Sequence, residues 1–134
     1  MNPAIVDTDV VSVIFKRTSS AYSYQRLIEG RLLAISFMTL AELDRWTLER
    51  NWGNARKDEL SAHIQRYTVI PSTRELCSTW AEVVWRGRKK GRPIQTADAW
   101  IAASALHYRV PLITNNVSDF EAVEGLLILT ASRL

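Results

Sequence analysis

Ala4-Ile5-Val6-Asp7-Thr8-Asp9 runs three apolar residues straight into two carboxylates. The apolar run has no polar alternation, which is how a strand buried on both faces reads. Runs of the same kind recur at Arg31-Leu32-Leu33-Ala34-Ile35-Ser36, Thr68-Val69-Ile70, Val110-Pro111-Leu112-Ile113-Thr114 and Leu126-Leu127-Ile128-Leu129. Helical segments fill the spaces between them. Val10, Val11, Val13 and Ile14 mark the first, and residues 21–29, closed by Gly30, the second. Residues 39–50 and 54–66 form two more, separated by Gly53. Thr73 opens a long helix whose Leu76, Trp80, Val83, Val84 and Gly87 share one face at a 3.6-residue period. Gly91 and Pro93 end it, an alanine-rich helix follows over residues 96–107, and a short one over 118–123. Strands alternating with helices predict an α/β/α sandwich around a central parallel sheet of four to five strands.

The chain has 134 residues, enough for one domain, expected to span 1–134. No apolar stretch approaches the roughly 20 residues of a membrane span. The opening residues lack a basic n-region followed by a long apolar run, so no secretory signal is expected. Cys77 is the only cysteine, which excludes an internal disulfide and a cysteine zinc site and fits a cytoplasmic protein. The net charge of +3 is too small to imply nucleic acid by itself. Its distribution is more informative, because Arg86, Arg88, Lys89, Lys90 and Arg92 crowd into one segment. Such a segment serves either as a solvated helix end, where cations suit the dipole, or as a phosphate-contacting patch.

Ligand sites in parallel sheets lie beyond the carboxyl ends of the strands. Asp7 and Asp9 follow the first strand, Glu42 lies about a helical turn beyond the second, and Asn115, Asn116 and Asp119 follow the fourth. Asp98 follows a loop and a helix start, and no strand points at it. Each of these acids also falls near a helix start, where the dipole favours it. Thr39-Leu40-Ala41-Glu42 and Ser118-Asp119-Phe120-Glu121 match capping boxes, and Thr96 is placed to cap the helix of Asp98. Several carboxylates at one edge nevertheless repel, and must protonate or find a cation. The cation that suits oxygen ligands is Mg²⁺ or Mn²⁺.

Four stretches, taken in order, resemble the motifs of the PIN-domain family, and within it the VapC toxins of bacterial toxin–antitoxin pairs. They are Ile5-Val6-Asp7-Thr8-Asp9-Val10, Met38-Thr39-Leu40-Ala41-Glu42-Leu43, Thr96-Ala97-Asp98-Ala99-Trp100-Ile101-Ala102-Ala103 and Leu112-Ile113-Thr114-Asn115-Asn116-Val117-Ser118-Asp119-Phe120. The resemblance covers nearly the whole chain. It implies a PIN-like fold, a Mg²⁺-dependent endoribonuclease acting on tRNA, rRNA or other structured RNA, a homodimer, and a cognate antitoxin. By position, Asp7, Glu42 and Asp98 match the acidic metal-site residues. Asp9 stands where the family usually carries Asn, and either Asn116 or Asp119 completes the set.

The reaction implied is attack of metal-activated water on phosphorus. Glu42 either binds a second metal or orients that water, Thr114 and Asn116 are placed to bond a carboxylate or a phosphate, and Arg86, Arg88, Lys89, Lys90 and Arg92 to contact the RNA backbone. His63 and His107 show no obvious partner, and Cys77 is expected in the core. Trp46, Trp52, Trp80, Trp85 and Trp100 are expected mainly in packing or a dimer surface, with base stacking the other use. Two other readings compete. Asp7-Thr8-Asp9 after a strand also resembles haloacid-dehalogenase-type phosphatases, with Asp7 as nucleophile and Asp9 as general acid, although the required later lysine and acidic pair are missing. In a non-catalytic protein-binding module the acids would serve only as caps.

Overall fold

The structure, a computed structural model, describes residues 2–131. Met1 and residues 132–134 of the expected domain lie outside it. Five parallel strands form one sheet in the order β3-β2-β1-β4-β5. They are β1 (Ala4–Val6), β2 (Leu33–Ser36), β3 (Thr68–Ile70), β4 (Leu112–Ile113) and β5 (Ile128–Leu129). Seven helices join them among the described residues: α1 (Thr8–Lys16), α2 (Ala21–Ile28), α3 (Phe37–Glu49), α4 (Asn54–Ile64), α5 (Arg74–Lys89), α6 (Thr96–Tyr108) and α7 (Val117–Phe120).

The register explains the layers. Ile5 stands level with Leu112 and Ala34, and Leu112 with Ile128. This row packs against Leu76 and Val83 of α5, the small face Ala99, Ala102, Ala103 and Ala105 of α6, and Phe120 of α7. The alternate row, Ala4, Val6, Ile35 and Ile113, packs against Val10, Val11 and Ile14 of α1, Tyr24 of α2, Leu43 of α3 and Leu60 of α4. Successive strand residues face opposite sides, so both faces need apolar side chains and the strands read as unbroken runs. Helices α1–α4 carry the chain outward from β1 to β3, and α5–α7 carry it back across to β4 and β5. With right-handed crossovers, reversing direction moves the helices to the other face. The reversal makes the junction of β1 and β4 a switch point, where α/β sheets open a crevice beyond their carboxyl ends.

Thr73 caps α5, its hydroxyl accepting from the Leu76 N–H at 3.1 Å. Both expected capping boxes are absent. Ser36 caps α3 by accepting from the Met38 N–H, which starts this helix almost a turn earlier and leaves Thr39 fully buried inside it. Asn116 precedes α7 without a side-chain cap, and Gln95, not Thr96, stands at the start of α6. Cys77 is exposed, one position around the helix from the buried Leu76. Gly87 is required sterically: a Cβ there would lie 2.8 Å from the Arg92 carbonyl oxygen in the turn after α5.

Candidate active site

Asp7 leaves the end of β1 as a buried residue, 4% exposed, with its carboxylate held on both oxygens. Oδ1 accepts from the Thr8 N–H at 2.8 Å, capping α1, and Oδ2 accepts from Thr114 Oγ1 at 2.7 Å. Thr114 follows β4, the neighbour of β1, and its Oγ1 in turn accepts from the Asn116 N–H at 3.0 Å. The two strands at the switch point thus lock one carboxylate between them. Of the two uses expected of Thr114, its buried hydroxyl takes the first, bonding a carboxylate.

Glu42 reaches the same edge from the second turn of α3. Thr8 Oγ1 donates to its Oε1 at 2.7 Å and also meets the Thr39 hydroxyl at 2.9 Å. Thr8 therefore links the first and second acidic segments, a role the sequence reading missed. The available signal was the Thr39–Glu42 spacing, which places both side chains on one helix face. Asn116 Nδ2 donates to Asp9 Oδ2, so the extra acid of the first segment has a partner from the last. Asn115 turns elsewhere, its Oδ1 accepting from the buried Tyr24 hydroxyl at 2.8 Å.

Asp98 lies in the first turn of α6. Burial pushes its carboxyl up to about 6, and the charges of Asp119, Glu42 and Asp9 add to the effect. Asp7 is pushed up to about 7, chiefly by burial; the Thr114 and Thr8 hydrogen bonds oppose this, while Asp9 and Asp98 reinforce it. Each of the five acids therefore feels, or is felt by, another. Asp98, which no strand points at, joins the group because α6 begins at this edge. Among the described residues no three His, Cys, Asp or Glu side chains make a ready-formed metal cage. What the fold assembles is a looser set of oxygen donors, two of which, the buried carboxyls of Asp7 and Asp98, hold their protons more strongly than free carboxyls do.

The basic segment is largely engaged within the fold. Arg86 pairs with Glu124 at 3.5 Å and Glu82 at 3.7 Å, Arg92 with Glu121 at 3.8 Å, and Lys90 Nζ donates to the Ala122 carbonyl at 2.7 Å. Lys89 lies over the Trp85 ring. These contacts clasp the end of α5 to the segment after α7, around a cleft of about 530 Å³ whose wall includes Asp119. His63 does have a partner, its Nε2 lying 3.0 Å from the Tyr67 hydroxyl. His107 packs edge-on against the Tyr108 ring. Trp80 stacks on Trp100 at 5.1 Å, between α5 and α6, while Trp85 is exposed.

The family description PIN domain matches residues 4–126. The chain belongs to the PIN-domain family, in its VapC branch. It is 30% identical over 129 residues to Ribonuclease VapC1 of Haemophilus influenzae (strain R2866), covering 91% of this chain and 92% of the relative. Its fold superposes on VapBC2 from Rickettsia felis, solved bound to a DNA fragment from their promoter, with a TM-score of 0.84 at 22% identity. That match covers 96% of this chain and 98% of the other. VapBC-1 from nontypeable Haemophilus influenzae gives 0.80 at 24% identity, over 97% and 98% of the two chains. Family membership removes the ground for the phosphatase reading. The structure agrees, because Lys16, Lys57 and Lys89 lie in helices and Lys90 at a helix end.

Proposed function

We propose that this VapC-type chain is a metal-dependent endoribonuclease, the toxin of a toxin–antitoxin pair, cleaving structured RNA such as tRNA or rRNA. The observation that carries the reading is the meeting of Asp7, Asp9, Glu42, Asp98 and Asp119 at one sheet edge, with Asp7 and Asp98 raised well above ordinary carboxylates. A structural set of caps has no need to bury and crowd its acids. A Mg²⁺ site does, and Mn²⁺ fits the same oxygen donors. Mg²⁺ keeps several waters and takes only one or two carboxylates directly, so it needs no closed cage.

Asp7 and Asp98 would hold the ion, with Glu42 beside them. When bound, the ion supplies Lewis-acid stabilisation of phosphoryl oxygens and lowers the pKa of water. The chain's own residues do the rest. Thr114 and the Thr8 N–H fix the Asp7 carboxylate, and Thr8 Oγ1 aims Glu42. Glu42 then orients the attacking water, and Asn116 Nδ2 holds the Asp9 carboxylate by a hydrogen bond. Asp119, beside Asp98, is the second outer acid.

The partners in this reading are RNA, a second copy of the chain, and a cognate antitoxin that blocks the site. Support for the antitoxin comes from the related structures, which are VapBC complexes. No helix among the described residues is long and apolar enough to cross a membrane, and the reading places the protein in the cytoplasm. Induced expression in a bacterial host tests the biological role. Growth should stop with the wild-type chain, continue with Asp98→Asn, and resume when the small reading frame adjoining the gene is co-expressed. Undisturbed growth with well-expressed wild-type protein would contradict the toxin assignment.

A further inference from the structure

A second group of charges lies at the other end of the helices that carry the acids. Lys16 Nζ sits 5.1 Å and the Arg50 guanidinium 4.6 Å from the centre of the same ring, Trp46. Arg56 lies 4.5 Å from the Phe15 ring and 5.1 Å from Trp52. Three cations from α1, the end of α3 and α4 are thus gathered on an aromatic platform. Aromatic faces attract each cation, which offsets part of their mutual repulsion. The repulsion is real: burial lowers the Lys16 ammonium, and Arg50 and Arg56 lower it further.

Helix dipoles explain part of this arrangement and not the whole. Lys16 and Arg50 stand at helix C-terminal ends, where cations are favoured. Arg56 stands in the first turn of α4, where the dipole opposes it. One carboxylate, Glu59, pairs with Arg56 at 3.0 Å, while Glu49 is engaged by Arg45. Three cations facing one paired acid leave a net positive surface, unlike the neutralised clasp around Arg86 and Arg92.

Its placement suggests what it meets. Asp9 and Lys16 are seven residues apart on α1 and share a face. Glu42 and Arg50 are eight apart on α3, with Trp46 between them. At 1.5 Å per residue the cations lie about 10–12 Å along the helices from the acids. A polyanion lying across the acid edge passes onto them.

We propose that Lys16, Arg50 and Arg56, set on Trp46, Trp52 and Phe15, bind the phosphate backbone of a structured RNA beyond the cleavage site. The inference rests on the nuclease reading and specifies how that substrate is held. Its test is the binding of labelled total tRNA, in EDTA so that no cleavage occurs, measured against salt concentration for wild type and Lys16→Gln/Arg50→Gln. The double variant should bind roughly tenfold more weakly at low salt, with a log–log salt slope shallower by about 1.5. In Mg²⁺, cleavage of an oligonucleotide too short to reach the cations should be unchanged. Melting temperature monitors folding, and Lys16→Gln alone, at an exposed position without an ion pair, gives a smaller shift of the same sign if the double variant fails to fold.

Wild-type binding with an unchanged variant slope overturns this inference and leaves the nuclease reading intact. Failure of the wild type to bind tRNA overturns this inference and leaves rRNA as the substrate of the nuclease reading. If the variant keeps its tRNA affinity but loses an acidic protein partner, the surface is a protein dock and the proposal is wrong.

Discussion

Thr114 and Asp7, 107 residues apart in the chain, are joined by a 2.7 Å hydrogen bond between buried side chains at the ends of two adjacent parallel strands. The bond couples the architecture to the chemistry, because it fixes a carboxylate at the point where the sheet's crossovers reverse. Thr114→Val keeps the shape and removes the donor. It also strips the Asn116 N–H of its acceptor. A hydrogen bond to a charged group contributes about 1.5–3 kcal/mol, so RNA cleavage should fall by roughly ten- to a hundredfold in a protein that still folds. Cleavage rates and melting curves compared side by side check this; an unchanged rate would show that the Asp7 position does not depend on Thr114.

The acids set the pH dependence. Asp7 and Asp98 hold protons up to about 7 and 6, respectively. Their folded values lie above their unfolded ones, so their contribution to metal-free stability is full at low pH and is lost as pH rises toward 7. A cation must displace those protons, so its stabilising effect runs the other way. The Mg²⁺-induced rise in melting temperature should be small at pH 5.5 and large at pH 8, with activity following the same curve. Equal Mg²⁺ stabilisation at both pH values would contradict this.

Asp9 contributes to raising both Asp7 and Asp98. Asp9→Asn restores the amide usual in the family, and its side-chain oxygen can still accept from Asn116. We expect activity to be retained and its acidic limb to move to lower pH, by a few tenths of a unit to one unit. A pH–rate profile decides, and a shift to higher pH would refute the electrostatic account.

His63 provides an independent check on stability. Burial, aided by Arg66, lowers its imidazole to about 4. Between about 6.5 and 4 the unfolded chain binds a proton that the folded chain refuses, so stability falls as pH drops through this window. Its partner Tyr67 is four residues away, one turn along the chain. His63→Phe, measured by urea unfolding from pH 7 to pH 4.5, should flatten this dependence at some cost in stability at pH 7. A variant with the wild-type slope would place the titration elsewhere.

The strands were readable because both faces of the sheet are covered, which leaves Ala4-Ile5-Val6 and Leu112-Ile113 as uninterrupted apolar runs. The positions of Asp7 and Asn116 followed from strand ends. Asp98 did not, since its place depends on where α6 begins, a property of tertiary packing. The caps misled for a local reason: Thr39-x-x-Glu42 has the form of a capping box, yet Ser36 starts the helix earlier and Thr39 faces Thr8 inside it. The segment around Arg86 looked like free positive charge because the acids it pairs with are distant in sequence, Glu121 lying 29 residues beyond Arg92 and Glu124 38 beyond Arg86. The cations that stay unneutralised, Lys16 and Arg50, are scattered along the chain and meet only on the Trp46 ring.

If the crowded acids at the sheet edge serve metal-dependent RNA hydrolysis, cleavage must depend on both the ion and Asp98. Purified wild-type protein and Asp98→Asn should be incubated with total tRNA and rRNA, each in Mg²⁺, in Mn²⁺ and in EDTA. Wild type should give discrete RNA fragments in either metal and none in EDTA, with at least a hundredfold loss (on the order of 3 kcal/mol) in a normally folded Asp98→Asn. Intact RNA with folded wild-type protein in both metals, or equal cleavage by Asp98→Asn, would contradict this and return the acids to the role of helix caps in a protein-binding module.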